Sequence, residues 1–408
     1  MKLRRKQPGR EGEKRAGEKS NKIWFRPPAV LAALFFLAAA AGAADPGAAP
    51  PAKPLADVLS APERLRMEEA VDRGLAWMAA QQAANGSFPT LPQGQPAVTS
   101  LCVLAFLSRG HQPGLGPYGS LMEKGIDFVI SCQRPDGLFS YQPPEAVHVD
   151  DGASHTAVYN HAIAGLMLGE VYGHVTGARA GEVKRAMEKA LQFARDLQTR
   201  PKAFRGDQGG WRYLRLRWSP LTADSDLSVT SWQLMFLRSA RNAEFSVPQK
   251  YIDEAMEFVH RCWNENEGVF YYAIDGTGYG DIRTGRGMVA AGVVSLALAG
   301  QHQTPIELAA GDWLLSHPFR GFGDRIGIAD RFFYSAYYTS QAAAQLGGRY
   351  WEGIFPPLAA AVLSAQSPDG SWPVEVGHLD VMFGNTYTSA LAVLTLTPVF
   401  QLLPVYQR

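Results

Sequence analysis

Cysteine is scarce. Three residues in 408, Cys102, Cys132 and Cys262, are too few and too scattered for a disulfide framework or a zinc ligand set. Charge is thin too, at 19% against 46% hydrophobic residues, which leaves enough apolar surface for a large core and argues against a disordered chain. Long hydrophobic runs are missing: the longest, residues 29–42, falls short of the roughly 20 that a spanning helix needs. That run follows a basic stretch over residues 2–26 and ends in Ala41-Gly42-Ala43, a small-residue pattern of the kind cleaved from secretory signals. Residues 1–44 are therefore expected to be a signal peptide, and their basic flank suits a retained N-terminal membrane anchor as the alternative. Either way the chain is expected to be exported, to a periplasmic or extracellular site. Residues 45–64, rich in Pro and Ala at their start, predict a flexible linker ahead of a folded unit over 65–408.

A basic face is absent as well. Ten of the 39 Lys and Arg and three of the 38 Asp and Glu fall within the first 44 positions. Residues 45–408 thus keep 29 basic and 35 acidic side chains, a net charge of −6. That excludes nucleic acid as an electrostatic partner.

What the chain has in quantity is glycine, 41 residues, much of it in one recurring context. Six times an amphipathic helix ends in a turn of Gly plus an aromatic, followed by a second, more apolar helix. The turns are Gly86-Ser87-Phe88, Asp136-Gly137-Leu138-Phe139, Gly209-Gly210-Trp211, Gly268-Val269-Phe270, a degenerate Gly321-Phe322-Gly323, and Asp369-Gly370-Ser371-Trp372. Glycine supplies the left-handed backbone that ends a helix and reverses the chain. The aromatic two places on is expected to pack on the helix pair. A glutamine at the helix end, as at Gln133 and Gln366, is expected to bond the orphan amides that open the next helix.

The second helices are predicted over 98–107, 154–172, 226–239, 284–299, 332–346 and 385–396. Several, such as Ala162-Ile163-Ala164-Gly165-Leu166-Met167-Leu168, have no polar face, and such a helix is buried on all sides. Six of them, each with an amphipathic partner, predict an inner ring inside an outer ring. The expected fold is all-α, an (α/α)6 toroid, closed because an open solenoid would leave its inner layer wet.

Residues 132–139 and 367–373 resemble the QW-type repeats of squalene cyclases and protein prenyltransferase β-subunits, and the stretches 158–173, 226–240 and 384–406 agree. Over 65–408 the chain is similar to exported bacterial proteins of the prenyltransferase and squalene oxidase repeat class. Within that class, type II terpene cyclases protonate an alkene from the middle acid of an Asp-x-Asp-Asp motif. A neighbouring carboxylate and an apolar pocket keep that acid neutral until it fires. The resemblance implies that Asp226 stands where the proton donor stands and Asp224 where the first acid stands; Leu227 replaces the last acid. The same residues also suit a plain helix cap, because Asp226 directly precedes a helix and its first amides favour a charged carboxylate.

The resemblance to prenyltransferases implies zinc held by Asp, Cys and His, but the sixth inner helix opens Gly384-Asn385-Thr386-Tyr387 and no Asp-x-Cys precedes it. The Gly-Cys-Gly-Glu-Gln run of thioester toroids is absent too. No metal and no cofactor are expected.

Further polar residues collect at the openings of the inner helices. His155, Tyr159 and His161 lie around the second, Arg283 and Arg286 around the fourth, Tyr334, Tyr337 and Tyr338 on the fifth, and Asn385 and Tyr387 on the sixth. Trp211 belongs to the third turn. In a closed ring these openings converge on one mouth, where helix dipoles and two arginines favour an anion. The tyrosines offer ring faces to an apolar or cationic species and hydroxyls to a sugar. Ordinary uses compete: core histidines, arginines paired with Asp281 or another acid, packed tyrosines, and Asp150 and Asp151 as loop acids. Three readings stand: a toroid that binds or cyclises an isoprenoid, as an isomerase or transferase if catalytic; a non-catalytic binding scaffold; and an exported polysaccharide-active toroid. Nothing in the pattern specifies an oligomeric state.

Overall fold

Two kinds of helix alternate along the chain, and burial separates them. The computed structural model describes residues 54–144, 152–214, 224–274, 283–327, 330–376 and 379–407. The N-terminal segment expected to direct export, Asp150, Asp151 and Asp281 lie outside the described residues. In chain order the helices are α1 (Ala61–Gln81), α2 (Ala97–Ser108), α3 (Gly119–Ser131), α4 (Gly152–Tyr172), α5 (Gly177–Gln198), α6 (Leu227–Asn242), α7 (Gln249–Arg261), α8 (Arg286–Leu298), α9 (Pro305–Ser316), α10 (Phe332–Leu346), α11 (Gly348–Ser364) and α12 (Gly384–Leu396). Every residue of α2 and α8 is buried, and α4, α6, α10 and α12 come close to this. The odd-numbered helices bury one stripe each, as their amphipathic sequences require.

The even-numbered helices form the inner ring. Each packs on the next in order, and α12 returns to α2. The ring is closed, as expected, and the predicted inner helices coincide with the observed ones to within a turn. Small residues set the α4–α6 contact: a methyl at Gly165 would lie 2.5 Å from the Phe236 ring, and one at Gly169 would lie 2.4 Å from the Ser239 hydroxyl.

The turns hold the outer ring. Gln82, Gln133, Gln198 and Gln366 each use the side-chain NH2 twice. One bond goes to the carbonyl of the turn's own glycine, the other to a carbonyl of the next outer helix: Leu121, Ala186, Tyr251 and Ala70 respectively. The last of these joins the end of α11 to α1. This corrects the expectation that glutamine bonds orphan amides. The working group is the donor NH2, and helix carbonyls keep a second lone pair to accept it. The turn glycine is pressed close: Gly209, at φ 91°, would place a Cβ 1.9 Å from the Glu254 carbonyl oxygen. The turn aromatics Phe88, Phe139, Trp211, Phe270 and Trp372 are all buried. The Trp211 and Trp372 indoles donate to the Ala194 and Val362 carbonyls, each at 2.8 Å.

Part of the segment expected to be a linker is docked. The Ser60 amide donates to Glu63 Oε2 at 2.9 Å, the reciprocal bond of a capping box that starts α1. The Leu55 carbonyl accepts the Trp351 indole at 3.0 Å. At the other end, residues 401–407 close the C-terminal side of the ring. The Val405 amide donates to Glu170 Oε2, the Tyr406 carbonyl accepts from Gln345, and the Tyr406 hydroxyl bonds those of Tyr337 and the Met235 sulfur. Among the described residues no helix is long and apolar enough to cross a membrane.

Candidate functional site: a chamber at the openings of the inner helices

Because all six inner helices start at the same end of the ring, their first turns enclose a chamber of about 470 Å3. Its lower walls are apolar: Val98 and Leu101 from α2, Ile163 from α4, Trp232 from α6 and Met288 from α8. Its upper part is polar. Tyr159 and Tyr334 both bond the Ser228 hydroxyl, at 2.7 and 2.6 Å. Beside them the Tyr213 and Tyr272 hydroxyls bond each other, and the His155 ring lies 3.9 Å from that of Tyr213. Arg283, its guanidinium 4.6 Å over the Tyr272 ring, and Arg331 stand at the rim near Tyr387 and Phe383. Below, Trp232 stacks on Tyr337, which meets the Tyr406 plug. Burial, first of all, lifts the Tyr334 hydroxyl to about 12 and those of Tyr159, Tyr272 and Tyr387 well above the ordinary tyrosine value. All four therefore present neutral O–H groups.

Of the residues singled out in the sequence, the fold brings His155, Tyr159, Arg283, Tyr334 and Tyr387 to this chamber. Tyr338 stands beneath it, edge-on to Trp232 and bonded to the Ser231 hydroxyl at 2.8 Å. Four others serve elsewhere. His161 Nδ1 accepts the Phe139 amide and its Nε2 donates to the Ala190 carbonyl, so it is the neutral fastener of the second turn. Burial, the largest cause, pushes its pKa down to about 3. Thr99, Thr230 and Ser389 accept the equivalent amides of Phe88, Trp211 and Trp372. Trp211 is the packed aromatic of its turn. Arg286 is wholly buried between Asp330, at 2.7 Å, and Asp324, at 3.1 Å, with its guanidinium 3.8 Å over Phe319. Asn385 is exposed and does not line the chamber.

Asp226 lies one layer behind the chamber wall, fully buried. Its Oδ1 caps α6 by accepting the Val229 amide at 2.7 Å, while Oδ2 faces the Tyr272 hydroxyl at 3.2 Å and Arg212 Nε at 3.4 Å. Asp224 reaches the same guanidinium at 3.8 Å. Burial raises the Asp226 pKa to about 6, against the lowering effects of Arg212, the Val229 amide and Tyr272. Tyr272, which lines the chamber and donates to Oδ2, stands between this carboxyl and the chamber. None of the described lining residues is Asp or Glu.

Sequence reasoning missed Trp232, Asn160, Ser228, Tyr213, Tyr272 and Arg331. Arg331 carried the signal that marked Arg283, a basic residue at the opening of an inner helix. Tyr272 had none, since it comes from the turn that precedes α8.

No family model matches the chain, and no curated protein matches it in sequence. Solved structures do match in fold. A variant of the type II terpene cyclase MstE from Scytonema, in complex with geranylgeranyl dihydroxybenzoate as substrate, is 15% identical with a TM-score of 0.52, covering 85% of this chain and 100% of that one. A glycosidase variant is 14% identical with a TM-score of 0.55, over 85% and 100%. A protein from Actinoplanes is 17% identical with a TM-score of 0.51, over 82% and 99%. At such identities the likeness shows the fold alone. This chain is an α/α toroid of the architecture that terpene cyclases and glycosidases share.

Proposed function

We propose that this protein binds an apolar, isoprenoid-like molecule in the chamber and does so without proton transfer from Asp226. The observation that carries the reading is the apolar lower wall of Val98, Leu101, Ile163, Trp232 and Met288, enclosed by the inner ring. The volume falls within the roughly 300–1,000 Å3 of small-molecule sites. The likeness to a terpene cyclase solved with an isoprenoid substrate supports the same class of ligand. A donor to an alkene must reach it as a neutral acid. Asp226 instead holds a helix cap and an ion pair, and its carboxylate form is the one that both stabilise. The basic, then apolar, N-terminal segment is part of the proposal: it exports the chain or anchors it beside a membrane, where such molecules reside.

Organic extraction of the purified full-length protein, followed by mass spectrometry, tests this. An isoprenoid or similar lipid near one equivalent, lost in Ile163→Trp, is the expected result. An empty extract together with oligosaccharide binding favours a glycan-active toroid, a reading that the rim of tyrosine hydroxyls would serve.

A further inference from the structure

Two sets of hydroxyl bonds meet in the chamber's polar half, and one of them has a fixed direction. Burial, the largest cause, raises the pKa of both Tyr213 and Tyr272, so each hydroxyl carries one proton. The Tyr272 proton goes to Asp226 Oδ2 at 3.2 Å. The bond between the Tyr213 and Tyr272 hydroxyls must therefore be donated by Tyr213. Both protons are committed inward, toward a carboxyl that also accepts the Val229 amide at 2.7 Å and lies 3.4 Å from Arg212 Nε. What Tyr213 turns to the chamber is an oxygen with lone pairs and no proton to give. The neighbouring bonds of Tyr159 and Tyr334 to Ser228 join three neutral hydroxyls and end on no carboxylate, so no charge directs them. Beside the acceptor the ring faces are already used: the Arg212 guanidinium lies 5.2 Å over Tyr213 and that of Arg283 lies 4.6 Å over Tyr272. A cationic head group finds no free face there, which leaves a neutral donor.

Resting on the reading of the chamber as a ligand site, we infer that Asp226 is a positioning residue that sets the polarity of Tyr213 through Tyr272, and that the ligand so selected is an isoprenoid or other long-chain alcohol. Its hydroxyl donates to Tyr213, and its chain lies against Leu101, Ile163 and Trp232, which line the apolar part of the same chamber. An aldehyde of the same length sets a second acceptor against the Tyr213 oxygen and leaves both without a donor. A mismatch of that kind costs on the order of tenfold in affinity.

Isothermal titration of the full-length protein with geranylgeraniol, and with geranylgeranial of the same chain length, tests the inference. The native protein is expected to bind the alcohol about tenfold more tightly than the aldehyde. Tyr213→Phe removes the acceptor and is expected to make the two affinities equal. Tyr272→Phe keeps Tyr213 but cuts it from Asp226, so the Tyr213 hydroxyl turns freely and the preference is expected to vanish here too. In Asp226→Asn the amide oxygen keeps the α6 cap and the NH2 faces Tyr272. Both hydroxyl bonds then reverse, Tyr213 becomes a donor, and the aldehyde is expected to bind more tightly than the alcohol. The two phenylalanine variants carry the test by themselves if Asp226→Asn does not fold. Equal affinities in the native protein, or a preference that survives in Tyr272→Phe, overturn the role of Asp226 while the apolar chamber stands. Binding of neither probe removes the underlying chamber reading itself.

Discussion

The arc from α11 through α1, α3 and α5 to α7 and the arc from α7 through α9 to α11 build the same double layer with different chemistry. In the first, four glutamines clamp neighbouring outer helices through neutral amide bonds, and each turn glycine sits against a carbonyl. In the second, Trp263 stands where the glutamine would be, the turn opens into a short hairpin pairing Trp263 with Phe270, and Gly268 has open space around it. The following turn is tied by a buried cation, Arg286, between two aspartates. Ring closure thus requires satisfied polar groups at each turn, and the recurring motif is one of two ways to supply them. The second arc is also the one whose turns lead into Arg283 and Arg331.

The largest effect should come from the ionic tie. Arg286→Met leaves Asp330 buried without its partner, and removal of one member of a buried pair costs about 3–5 kcal/mol. Urea unfolding measures it. Next is the clamped glycine. Gly209→Ala meets the Glu254 carbonyl at a left-handed φ and should cost about 3 kcal/mol, whereas Gly268→Ala, at φ 67° in open space, should cost about 1 kcal/mol. Equal losses would remove the distinction between the arcs. Gln198→Leu deletes two bonds to carbonyls and should cost about 2 kcal/mol, measured the same way.

The smallest effect is a pH dependence. The folded pKa of His161 lies at about 3, below its ordinary 6.5, so its contribution is complete above pH 6.5 and fades as pH falls toward 3. The stability gap between the native protein and His161→Thr should therefore narrow by about 1 kcal/mol from pH 7 to pH 5.5. A constant gap would mean that His161 takes up its proton as readily in the folded protein as in the unfolded chain.

The ring was legible because its causes are local. Inner helices such as 162–168 carry no polar face, and a turn glycine, preceded by Asp at Gly137 and Gly370, marks each reversal in the arc with glutamine clamps. The Asp226 cap was legible for the same reason. The site was half legible. A polar residue at a helix opening reads alike whether it faces the chamber, as Arg283 does, or an acid brought in by the next turn, as Arg286 does with Asp324 and Asp330. His161 resembled a site histidine because its partner, the Phe139 amide, arrives from a turn on a different element. Trp232 was hidden inside an apolar helix, where a core side chain and a chamber wall share one pattern.

The most direct test of the central claim, that the inner ring encloses a chamber for an apolar molecule, is titration of geranylgeraniol into the native protein and into Ile163→Trp, which fills that space. The account predicts one binding site in the native protein and none in the variant, with melting temperatures alike. Undiminished binding by the filled variant would contradict it.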